Sequence, residues 1–60
     1  MEYHIPKDPV MLLSYVNTKL RDYHGSLEEF CHAFSVSEEE LKQKLAGIDY
    51  YYDASVNQFK

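Results

Sequence analysis

The chain is short of cysteine, of long apolar runs and of positive charge, and each shortage removes a class of function. A single cysteine, Cys31, excludes an intramolecular disulfide framework. The longest apolar run, VMLL at residues 10–13, falls far short of the ~20 residues that a membrane-spanning helix needs. No N-terminal stretch joins positive charge to an apolar segment and a cleavage site, so the expectation is a soluble, cytoplasmic protein without a membrane partner. Six Lys and Arg against ten Asp and Glu leave a net charge of -4. That balance works against nucleic acid, because the phosphate backbone supplies most of non-specific affinity. Sixty residues allow one domain, residues 1–60, and argue against an enzyme with a deep cleft. What is present is a 45% apolar, 15% aromatic composition, too rich for a disordered tail and able to supply core area that the short length would otherwise deny.

Residues 1–8 read as an N-terminal arm, because Pro6 and Pro9 push the residues before them toward extended geometry. Tyr3 and Ile5 are apolar enough to dock it on the body. Asp8 is the expected N-cap of a first helix over 9–24, with Pro9 at the first helical position, where a missing N–H costs nothing. Leu12, Val16 and Leu20 recur at four-residue spacing, flanked by Leu13 and Tyr23, while Ser14, Asn17, Thr18, Lys19, Arg21 and Asp22 fall outside the stripe. Gly25 is expected to supply a left-handed residue past the helix end. Ser26 with Glu29 forms a capping box opening a helix over 27–34, whose Leu27, Phe30, Cys31 and Phe34 share one face. Ser37 with Glu40 opens a third helix over 38–47, with Leu41, Leu45 and Ile48 inward and Val36 against Leu41 as a hydrophobic staple.

From residue 49 the period changes to two, predicting a hairpin over 49–60. Pairing Asp53 with Gln58 sets Tyr52 across from Phe59, and Asn57 takes a left-handed position in the turn. Tyr50, Tyr52 and Phe59 are then expected inside and Tyr51 outside. The fold class is α+β, mainly α: a three-helix helix-turn-helix core with a C-terminal two-stranded β-hairpin, winged-helix-like in layout.

The stretch IPKDPVMLLSYVNTKLRDYHGSLEEFC, with the terminal YDASVNQF, closely resembles a family of short bacterial proteins known as domain of unknown function 4250. The resemblance covers nearly the whole chain and implies no activity. It implies a glycine before the first hairpin tyrosine, where this chain has Asp49, a residue that tolerates the left-handed region better than most.

The second and third helices also resemble the helix-turn-helix of bacterial regulators, with Cys31, Ser35, Val36 and Ser37 at the small, turn and cap positions. In such modules the start of the second helix meets base edges and flanking cations hold phosphates. This helix offers Glu38, Glu39 and Glu40 first and Lys42, Gln43 and Lys44 only later. Carboxylates there repel phosphate but favour the helix macrodipole. Lys7, Lys19, Arg21, Lys42, Lys44 and Lys60 read as scattered charge, and Lys19 and Arg21, two apart on a helix, diverge. His4, His24, Cys31 and His32 lack chelating spacing, and Cys31 lies on an apolar stripe where a thiol acts as a small hydrophobe. No catalytic residue, cofactor or metal ligand is expected. The remaining reading is a non-enzymatic interaction module that binds a protein partner, or itself, through the hairpin and Tyr51. The alternative is a nucleic-acid-binding transcriptional regulator, for which Lys42, Gln43, Lys19 and Arg21 are the candidate contacts.

Overall fold

The computed structural model describes residues 5–60, in the order α1 (Pro9–Asp22), α2 (Leu27–Phe34), α3 (Glu38–Ala46), β1 (Tyr52–Asp53) and β2 (Gln58–Phe59). The expectations for Tyr3 and His4 lie outside the described residues. Each helix begins where a short polar side chain can accept from the first turn. Asp8 accepts from the Met11 N–H at 3.1 Å, with Pro9 at the first helical position. Ser26 accepts from the Glu29 N–H at 3.2 Å, and Ser37 from the Glu40 N–H at 3.3 Å. Three orphaned helix donors are satisfied in this way.

The helix ends depart from expectation. Helix α1 stops at Asp22, two residues early, and neither glycine has positive φ. The Lys19 carbonyl accepts from both the Tyr23 and the His24 N–H, at 2.8 and 3.1 Å. The Leu20 and His24 carbonyls accept from the Asn57 side-chain amide, at 3.0 and 2.9 Å. With those acceptors satisfied from the hairpin, a left-handed glycine at 25 is unnecessary. The left-handed residues are instead Ser35 (φ 55), Asp49 (φ 64) and Asn57 (φ 52). Ser35 and Asp49 each close a helix with paired back-bonds: Val36 to Cys31 and Ser35 to His32 after α2, Tyr50 to Leu45 and Asp49 to Ala46 after α3. Both are Schellman-type ends, a motif that usually carries glycine at the left-handed position.

The stripes meet as the sequence predicts, except that Tyr23, expected beside the α1 stripe, lies past the helix end and is 71% exposed. Leu12, Val16 and Leu20 from α1, Leu27, Phe30 and Cys31 from α2, Leu41 and Leu45 from α3, and Phe59 from β2 form the buried cluster. Leu13, Phe34, Val36, Ile48 and Tyr52 pack partly buried around it. Phe30 and Phe34 stack with centroids 4.6 Å apart, and the Tyr15 and His24 rings meet both edge-on at 5.8–6.5 Å. Side chains of this kind contribute about 1.5–3 kcal/mol each when fully buried, and Phe59 is the hairpin's one fully buried side chain, with Tyr52 packed partly buried beside it. The hairpin is antiparallel, pairing Tyr52 with Phe59 and Asp53 with Gln58. Among the described residues no helix is long and apolar enough to cross a membrane.

Candidate functional site

The hairpin is held by two asparagines rather than by a broad apolar face. The Asn17 side-chain amide donates to the Phe59 carbonyl at 3.1 Å and accepts from the Phe59 N–H at 2.8 Å. It therefore takes the place of a third strand at the outer edge of β2. Asn17 falls off the apolar stripe, but it faces the hairpin rather than solvent alone. Asn57 completes a polar chain: its Oδ1 accepts from the Tyr52 hydroxyl at 2.7 Å, and that hydroxyl accepts from the Leu27 N–H at 3.2 Å. Through this chain the turn of the hairpin touches the end of α1 and the start of α2.

This frame decides what the tyrosines do. Tyr51 and Lys60 exchange two backbone bonds, Tyr51 N–H to the Lys60 carbonyl at 3.2 Å and Lys60 N–H to the Tyr51 carbonyl at 3.0 Å. Tyr52 and Phe59 thus point inward with ring centroids 5.5 Å apart, while Tyr51 stands outward and 60% exposed. The expectation of a buried Tyr50 is corrected: its side chain is 38% exposed. The Tyr50 N–H belongs to the end of α3, bonded to the Leu45 carbonyl at 3.0 Å, and Asp49 turns the chain before the ladder begins. The alternation of faces therefore starts at Tyr51, two residues later than the sequence pattern suggests.

The candidate cations are engaged locally. Lys42 meets Glu38 at 2.9 Å one turn away, and that hydrogen bond holds the ammonium above its ordinary pKa. Arg21 donates through Nε and Nη2 to Asp22 at 2.9 and 3.2 Å, which holds the Asp22 carboxyl below the usual range. The Lys19 ammonium lies over the Tyr15 and Tyr23 rings, 5.3 and 5.0 Å from their centroids. The turn residue Asp53 accepts from the Ser55 hydroxyl and N–H, which lowers its pKa, and lies 3.8 Å from Lys60. The five candidates Tyr51, Lys42, Gln43, Lys19 and Arg21 do not form one site. Arg21 lines a groove between α1 and the hairpin, whereas Gln43 lines a second groove floored by Leu12, Phe30 and Leu41. Tyr51, Lys19 and Lys42 line neither groove.

Sequence reasoning missed Val10 and Val56 and took Lys60 for scattered charge; the three join Arg21 and Tyr50 along the α1–hairpin groove of about 770 Å³. The available signal was weak: Val10 is an apolar residue off the Leu12–Val16–Leu20 stripe, and Val56 is a valine inside a turn. Cys31 is buried, and burial, with the Glu38 charge second, pushes its thiol pKa up, away from a reactive thiolate. Among the described residues no three His, Cys, Asp or Glu side chains gather as metal ligands would.

Fold and surface together define a small, mainly α domain of three helices and a C-terminal hairpin, in which no buried side-chain nitrogen or oxygen among the described residues lacks a hydrogen-bond partner. The chain belongs to the family described as domain of unknown function DUF4250, whose model matches residues 6–59. No curated protein and no solved structure matches it.

Proposed function

We propose that the chain is a non-enzymatic protein-interaction module of the cytoplasm, presenting the hairpin side of the molecule to a protein partner or to a second copy. The observation that carries this reading is the exposure of Tyr50 and Tyr51 on a hairpin that already anchors itself through Tyr52, Phe59 and the two asparagines. Large rings left outside a core that does not need them are interface material, since aromatic residues are enriched where partners meet. The nucleic-acid alternative draws on the α2–α3 pair, joined through the Ser35–Ser37 turn. Against it stand the glutamates that open α3 and the engagement of Lys42, the candidate contact on that helix, with Glu38.

The test compares Tyr51→Ala with the parent. Its melting temperature stays within about 2 °C, as befits an exposed side chain. Sedimentation velocity across a concentration series and affinity capture from lysate then show a weakened self-association or the loss of a captured partner. If neither preparation associates with anything, the interaction reading fails. Steep loss of duplex binding with rising salt would put the nucleic-acid reading in its place.

A further inference from the structure

The α1–hairpin groove carries a charge pattern opposite to that of the molecule. The chain as a whole is acidic, at -4, yet the charged side chains lining this groove are Arg21 and Lys60, their acidic neighbours Asp22 and Asp53 standing outside the lining. Beside them stand three apolar side chains that the core leaves out: Val10 at 63%, Val56 at 49% and Tyr50 at 38% exposure. Arg21 gives Nε and Nη2 to Asp22 and keeps Nη1 for another acceptor. Lys60 touches Asp53 only loosely, at 3.8 Å. The backbone along the groove is closed, because Asn17 already occupies both polar groups of Phe59 at the β2 edge. A ligand here cannot add as a strand to β2. It must be read by side chains.

Resting on the interaction-module reading, we propose that this groove docks a short acidic segment of a partner protein, in which one or two apolar side chains are flanked by carboxylates. The apolar side chains cover Val10, Val56 and Tyr50, and the carboxylates meet Arg21 and Lys60. A polyanion such as duplex DNA would match the cations but leave the apolar surface wet. A second copy would have to meet Arg21 and Lys60 with its own carboxylates, the densest of which open α3, and that contact would join two different surfaces head to tail.

The test is a selection from a random peptide display library on the full chain, with counter-selection against the Arg21→Glu/Lys60→Glu double variant. Both substituted side chains are exposed, and a thermal melt checks that the variant is folded. Arg21→Gln/Lys60→Gln supplies a milder second variant should the first misfold. Enriched peptides are acidic and contain apolar or aromatic residues. A synthesised winner shifts the amide resonances of Val10, Tyr50, Val56 and Lys60, and its affinity drops by about tenfold or more in either double variant, as for a lost pair of charge contacts. Enrichment of neutral or basic peptides, or shifts centred on Tyr51 or α3, overturns the groove assignment while leaving the interaction module standing. No enrichment at all overturns the acidic-segment assignment, and the interaction module then stands or falls on the sedimentation and capture measurements. Concentration-dependent self-association, or mixed-duplex binding, that is lost in the same double variants would give the groove a different occupant and overturn the acidic-segment assignment.

Discussion

Asn57 commits every polar atom of its side chain, donating to two carbonyls at the end of α1 and accepting from Tyr52, while its own backbone sits at φ 52. Two separable roles follow. Asn57→Ala removes the bonds and forces a Cβ-bearing residue without local polar help into the left-handed region, so it costs about 2–4 kcal/mol. Asn57→Gly removes the same bonds but relieves the backbone, and in paired denaturant melts it is less destabilising by about 1 kcal/mol. Equal losses would show that the backbone is unstrained. Asp49 gives the opposite sign. Glycine at this Schellman position relieves the left-handed backbone at some cost in unfolded-chain entropy, so Asp49→Gly raises stability by about 0.5 kcal/mol, or Tm by about 2–4 °C. Cys31 tests the interior. Its folded-state pKa lies above the ordinary thiol value, so the neutral thiol favours the fold below about pH 8.5, and that contribution is lost as pH rises through the folded value. At pH 8 its reaction with a thiol reagent is slower in the native chain than in the unfolded chain by about tenfold or more.

The helices are built on local signals, and their beginnings were correspondingly legible. Ser26 and Ser37 each satisfy one backbone donor, so Ser→Ala at either position costs about 0.5–2 kcal/mol, read as a lower denaturant midpoint with unchanged slope. Variants that unfold with the parent would mean that water serves those donors equally well. Core stripes at four-residue spacing, the Tyr52–Phe59 register and the left-handed Asn57 were equally readable, because each depends on residues close in sequence. The end of α1 was not. Its capping amide comes from Asn57, 37 and 33 residues away, and Asn17 meets Phe59 across 42 residues. No local pattern around Gly25 or Asn17 announces those bonds. The candidate site divides in the same way. Tyr51 follows from period-two alternation, whereas the union of Val10 with Val56 and Lys60 depends on how the hairpin folds back along α1. Tyr50 was misplaced because the Schellman turn at Asp49 delays the start of the ladder.

At the scale of the molecule, charge is the property most directly open to measurement. The formal charge of -4 is reinforced by local pairing, since Lys42 faces Glu38, Arg21 faces Asp22 and the first turn of α3 presents Glu38, Glu39 and Glu40. Binding to polyanions draws on unpaired cations that release condensed counterions, and few are available here. The chain therefore binds mixed-sequence duplex DNA more weakly than about 10 µM at physiological salt, read by fluorescence anisotropy. The variant Glu38→Lys/Glu39→Lys supplies the counter-experiment. It brings the formal charge to zero, frees Lys42 and puts cations at the start of α3. It also loses one exposed ion pair and a favourable helix-end interaction, so a melt must first show that it is folded. Given that, its duplex affinity rises and acquires a steeper salt dependence than the parent's. A parent chain that already binds below micromolar, weakening sharply with salt, would mean that the acidic start of α3 lies away from the DNA and that another surface carries the contact.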